Sequence, residues 1–236
     1  MSIFRFKKFL VHDDRATMKV GTDAVLLGSW AEIENASNML DIGTGTGILA
    51  LMLAQRSPES TYIDAVELAH PDAQQAIENV RLSPWPEKIN VIHSDIRLFQ
   101  HTALYDLIIC NPPYFINSLL PPQKGRETSR HTTAFSHDDL LEAVRRLMSR
   151  EGRLNVILPF IESEIFIKKA VDQKLVLRRN TQFFTRQGKP QERALMEFRF
   201  TSGPLENNSV TLYGSGLEWT KEYRGLTSDF YLDHQK

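Results

Sequence analysis

The chain has 236 residues, 42% of them hydrophobic and 24% charged, with a net charge of −1. That is enough chain to bury a core without covalent staples, and its single cysteine, Cys110, excludes an internal disulfide framework and any multi-cysteine zinc site. No apolar run approaches the roughly 20 residues that span a bilayer, and the opening MSIFRFKKFLVHDD lacks the apolar core and cleavage site of a signal peptide. A cytoplasmic protein is expected.

In chain order, residues 1–37 read as an amino-terminal segment and residues 38–236 as one domain. Apolar runs at 38–43, 61–68, 89–95 and 105–111 predict buried strands, with helices at 46–57 and 71–82 between them. Pro71 suits the first turn of the second helix. A loop rich in Pro, Gly and bases spans 115–136. A helix over 136–149 then opens on Ser136 and two Asp residues, which suit its positive end. A strand at 152–159, a helix at 162–173 and a strand at 175–184 follow. ERALMEFRF (192–200) alternates as a half-exposed strand would. Seven strands alternating with helices predict an α/β fold with a doubly wound, mostly parallel sheet and an antiparallel strand at its edge.

The sharpest local signal is Asp41-Ile42-Gly43-Thr44-Gly45-Thr46-Gly47, between a strand and a helix. Glycines there permit a tight turn and let backbone approach a ligand. A dinucleotide-binding turn, G-x-G-x-x-G, would need glycine at 48, where the chain has Ile48. The G-x-G-x-G spacing after an acid instead resembles motif I of class I S-adenosylmethionine-dependent methyltransferases. Glu67 ends the second strand, where a carboxylate can accept bonds from ribose hydroxyls. Asp95 ends the third, resembling the acid that bonds the adenine amino group of such a cofactor. The resemblance sets Asp41 near the methionine ammonium, a complementary charge.

Asn111-Pro112-Pro113-Tyr114 follows the fourth strand directly. The prolines stiffen the backbone. The Asn111 side-chain oxygen and the Pro112 carbonyl can accept both hydrogens of an exocyclic NH2, orienting a poorly nucleophilic nitrogen for in-line attack. Tyr114 offers a face for a planar substrate. This tetrapeptide resembles that of amino-group methyltransferases acting on adenine N6, guanine N2 or a protein glutamine. Such chemistry calls for no metal, and His12, His70 and His93 have no metal-ligand spacing.

Beyond these motifs the chain resembles the bacterial tRNA1(Val) adenine-N6 methyltransferase family, which modifies adenine 37. The residues that carry the likeness are Phe6-Lys7, the run Met18 to Gly28, and Leu226 to Leu232. The resemblance implies that the amino-terminal segment closes over S-adenosyl-L-methionine, with Lys19, Thr22 and Asp23 lining it, and that the partner is tRNA. From the residues alone, the turn at 20–24 equally suits a plain helix cap.

Charge is divided along the chain. Residues 1–115 hold nine Lys/Arg against fourteen Asp/Glu, and residues 116–236 hold nineteen against fifteen. Lys124, Arg126, Arg130 and His131, in the loop after Tyr114, are candidate phosphate contacts. A solvated loop would carry the same bases. Phe183, Phe184 and Arg186 read as strand core and rim, and Trp30 and Trp219 as packing. A monomer or weak dimer is expected. Methylation of a release-factor glutamine, or of a guanine N2 in RNA, is the alternative activity. A silent RNA-binding module would not need the Asn111–Tyr114 tetrapeptide.

Overall fold

Short apolar runs bounded by turn residues become strands and longer amphipathic ones helices, in a computed structural model that describes residues 2–113 and 135–232. β1 (Ile3–Arg5) and β2 (Leu10–His12) form a small antiparallel hairpin. Helix α1 (Thr22–Trp30) follows, then β3 (Asn38–Ile42), α2 (Ile48–Arg56), β4 (Tyr62–Glu67), α3 (His70–Arg81), β5 (Ile89–His93) and β6 (Tyr105–Cys110). Next come α4 (His137–Leu147), β7 (Met148–Pro159), α5 (Phe160–Asp172), β8 (Val176–Arg186), β9 (Arg193–Arg199), β10 (Glu206–Tyr213) and α6 (Lys221–Thr227).

The main sheet has eight strands in the order β10-β8-β9-β7-β6-β3-β4-β5. β4 and β5 extend it from β3 in one direction and β6 and β7 in the other, all parallel. The order therefore reverses between β3 and β6, and a crevice opens at their carboxyl ends. Successive residues of β3 point to opposite faces. Met39 enters a core layer with α1 and α2, including Val25, Leu27 and Leu51, while Leu40 and Ile42 enter a second with Leu140 and Val144 of α4 and Phe166 of α5.

The antiparallel strand is β9, and it is not at the edge. It pairs antiparallel with β7 on one side and β8 on the other, and an eighth strand, β10, closes the sheet parallel to β8. Flanked on both sides, β9 is buried on both faces rather than half exposed. Its Glu197, fully buried, is neutralised by Arg179 (3.3 Å) and Arg199 (2.7 Å), so the polar half of the alternation marks an internal ion cluster and not solvent. β10 escaped the sequence because its first half, Glu-Asn-Asn-Ser, is exposed and shows no apolar alternation.

Candidate active site

The crevice opens into a cavity of about 720 Å3. Its floor is the loop from β3 to α2. Gly43, Gly45 and Gly47 all hold positive φ (70°, 56° and 82°), a conformation that favours glycine. A Cβ on Gly43 or Gly45 would meet no protein atom within 4 Å, so those two backbones face open space in the cavity. Gly47 is different: a Cβ there would reach Ala76 of α3 at 3.4 Å, so its role is close packing of loop on helix. The helix expected from 46 starts at Ile48 because Gly47 is its left-handed cap.

Asp41 lies beneath this loop and does not line the cavity. Its Oδ2 accepts from Thr44 Oγ1 (2.5 Å) and Ala50 N (3.2 Å), tying the loop to the first turn of α2, while Oδ1 is buried with no partner. Burial pushes its carboxyl up to about 7, against the opposing pull of those two bonds and with the Glu67 charge adding to the rise. Cys110, beside these acids and fully buried, has its thiol pushed up by burial and by both charges, so it is unreactive.

Glu67, at the end of β4, lines the cavity. Its carboxylate bridges the glycine loop and the start of α3, accepting from Gly45 N at 2.9 Å and Ala69 N at 2.8 Å. Asp95, after β5, also lines it. The bonds from Arg97, with Nε at 2.9 Å and Nη2 at 2.6 Å, hold its carboxyl below the usual range despite some burial. Opposite them, after β6, Asn111, Pro112 and Pro113 form part of the rim. Tyr114 and the bases Lys124, Arg126, Arg130 and His131 lie outside the described residues.

The upstream segment forms the roof: Lys19, Thr22 and Asp23 all line the cavity. Lys19 Nζ is engaged by Asp13, through the backbone carbonyl at 2.5 Å and Oδ1 at 3.4 Å. Asp23, in the first turn of α1, accepts from Arg193 Nε of β9 at 3.0 Å, which joins the roof to the far half of the sheet. Sequence reasoning missed Arg193. Phe183 of β8 packs in the core and also faces the cavity, so it serves as wall as well as packing. Trp30 packs as expected, with Nε1 donating to Thr181 Oγ1 at 2.9 Å.

Residues 16–185 match the family described as Methyltransferase small domain. The tRNA1(Val) (adenine(37)-N6)-methyltransferase of Tolumonas auensis is 42% identical over 229 residues, covering 97% of this chain and 96% of that one. The enzyme of the same name from Bacteroides fragilis is 41% identical, with 97% of each chain covered. This chain belongs to that family. Solved structures agree on the fold: a predicted O-methyltransferase from Agrobacterium tumefaciens superposes with a TM-score of 0.65 at 18% identity, over 88% of this chain and 96% of that one.

The stretches near the two ends that carry the family likeness meet in space. Lys7 N donates to Phe230 O at 2.8 Å and Lys7 Nζ to Ser228 O at 2.9 Å, and Phe6 packs edge-on against Phe230. The likeness at the ends therefore marks a clasp that anchors the hairpin from which the roof of the cavity departs.

Proposed function

We propose that the protein transfers the methyl group of S-adenosyl-L-methionine to the N6 amino group of an adenine in tRNA, with adenine 37 of tRNA1(Val), the target in its relatives' names, as the substrate. One observation carries the reading. The open glycine cradle at the end of β3 and the Asn111-Pro112-Pro113 rim at the end of β6 share one cavity, at the point where strand order reverses.

The residues fit such a cofactor. Gly43 and Gly45 leave room that a side chain would fill, and Glu67 and Asp95 set carboxylates on the wall opposite the Asn111 rim. A carboxylate oxygen has more than one lone pair, so the backbone bonds on Glu67 leave it able to accept from hydroxyls. When bound, the cofactor supplies a methyl group on a positively charged sulfur. The chain's own work is orientation. Asn111 Oδ1 and the Pro112 carbonyl accept the two amino hydrogens, and both hydrogen bonds strengthen as the nitrogen becomes pyramidal. The second proton leaves to solvent after transfer.

Identity of about 40% to tRNA enzymes along nearly the whole chain favours RNA over a protein glutamine. A tRNA substrate places the protein in the cytoplasm, and among the described residues no helix is long and apolar enough to cross a membrane. Incubation with labelled S-adenosyl-L-methionine and unmodified total tRNA, followed by nucleoside analysis, should yield labelled N6-methyladenosine. Label in a release factor and none in RNA would overturn the substrate and leave the reaction class intact.

A further inference from the structure

Helix α3 turns three polar side chains inward. Asp72, Gln75 and Asn79 are only 7%, 0% and 0% exposed, beside the apolar Ala73, Ala76 and Val80. Spacings of three and four residues put them on one face. Each accepts a backbone N–H from the upstream segment: Thr17 N donates to Asp72 Oδ1 at 2.8 Å, Arg15 N to Gln75 Oε1 at 3.3 Å, and His12 N to Asn79 Oδ1 at 2.9 Å. The segment runs down the helix as the helix runs up, from the end of β2 to Thr17, where it reaches the cavity. Its backbone has no strand beside it, and the helix side chains take that place.

Asn79 does more. Its Nδ2 donates to His12 O and to Thr46 O, both at 2.8 Å, so one buried amide ties the upstream segment to the glycine loop. Roof and floor of the cavity are thus set from the same side chain.

We infer that Asp72, Gln75 and Asn79 are positioning residues that hold residues 12–23 at the mouth of the cofactor cavity, with Asn79 setting the roof against the glycine loop. Burying three polar groups on a helix face where apolar ones would pack has a cost that folding alone does not require. The inference rests on the proposed cofactor, and its test separates the two.

In the full chain, Asn79→Ala and Asp72→Ala should each weaken S-adenosyl-L-methionine binding by about tenfold, the worth of a buried hydrogen bond. That loss should appear in calorimetric Kd and in KM, with kcat on tRNA within about threefold of wild type. Asp72→Asn keeps an oxygen for Thr17 N and should recover most of the affinity. Tyr105→Phe is the control: it removes a buried bond to Asp64 (2.5 Å) at the far end of β6, so it should lower Tm and leave KM alone.

Wild-type affinity in both alanine variants would overturn the inference. So would a rise in KM in Tyr105→Phe equal to theirs, or an Asp72→Asn as weak as Asp72→Ala, which would assign the effect to charge. If Asn79→Ala does not fold, the Asp72 pair decides. A wild-type protein that binds the cofactor but methylates no tRNA refutes the proposed substrate, and the Kd comparison still stands.

Discussion

Gly45→Ala separates the fold of the glycine loop from what the loop is for. Gly45 sits at φ +56°, and a Cβ built there meets no protein atom within 4 Å. The cost to folding is therefore the left-handed backbone alone, about 1–2 kcal/mol for a residue with a side chain, partly offset by a less flexible unfolded chain. A net loss of about 1 kcal/mol should lower Tm by about 2–4 °C in a chain of this size. The new methyl group points into space that only a ligand fills, so cofactor affinity should fall at least ~tenfold, or about 1.4 kcal/mol. Titration calorimetry with S-adenosyl-L-methionine, beside a thermal melt, reads both quantities. Gly28→Ala provides the contrast: its Cβ would come within 2.6 Å of Met52 Sδ in the core, costing about 1–3 kcal/mol of stability with no direct effect on binding. A Gly45→Ala protein that binds the cofactor within twofold of wild type would refute the reading of the loop as a ligand cradle.

Three further outcomes are expected. Asn111→Ala should abolish methyl transfer while cofactor Kd stays near wild type, since Asn111 is assigned to the acceptor amine; near-normal turnover would remove that role. Burial raises the Asp41 carboxyl to about 7 in the folded chain from 3.8 unfolded, so its penalty is absent below pH ~4 and grows as pH rises through 7. Asp41→Asn should then flatten the pH dependence of stability, with wild type losing on the order of 2 kcal/mol more than the variant between pH 5 and 8 in urea unfolding; parallel profiles would contradict the burial argument. Arg126→Gln with Arg130→Gln should weaken tRNA binding and shallow its salt dependence, and identical slopes at several ionic strengths would reduce that loop to solvated scaffold.

The parallel half of the sheet was legible because each of its strands is a continuous apolar run ending in a glycine, acid or proline signal. The boundaries of α3 were off by one residue at each end, and the glycine loop sits where its spacing put it. The other half was harder. β9 reads as a surface strand because Glu197 and its flanking arginines look like solvent-facing charges, yet they neutralise each other inside. The roof of the cavity was legible only through family likeness, because an extended segment without periodicity gives no local signal. Its anchors were visible in principle: Gln75 and Asn79 interrupt the face on which α3 should be apolar. Arg193 and its bond to Asp23 join residues 170 positions apart, and no local pattern announces such a pair.

The clasp between the hairpin and residues 228–231 also orders events during synthesis. As the chain is made from residue 1, β1 and β2 emerge long before Ser228 and Phe230 exist to receive Lys7, so the hairpin must wait with Phe6 and Phe9 lacking their final neighbours. α3 can take up residues 12–17 as soon as it forms, but the other end of that segment stays untethered until the last elements arrive. A nascent chain therefore completes its sheet before its cofactor chamber, and methylating capacity comes to each molecule late, after its fold is largely settled.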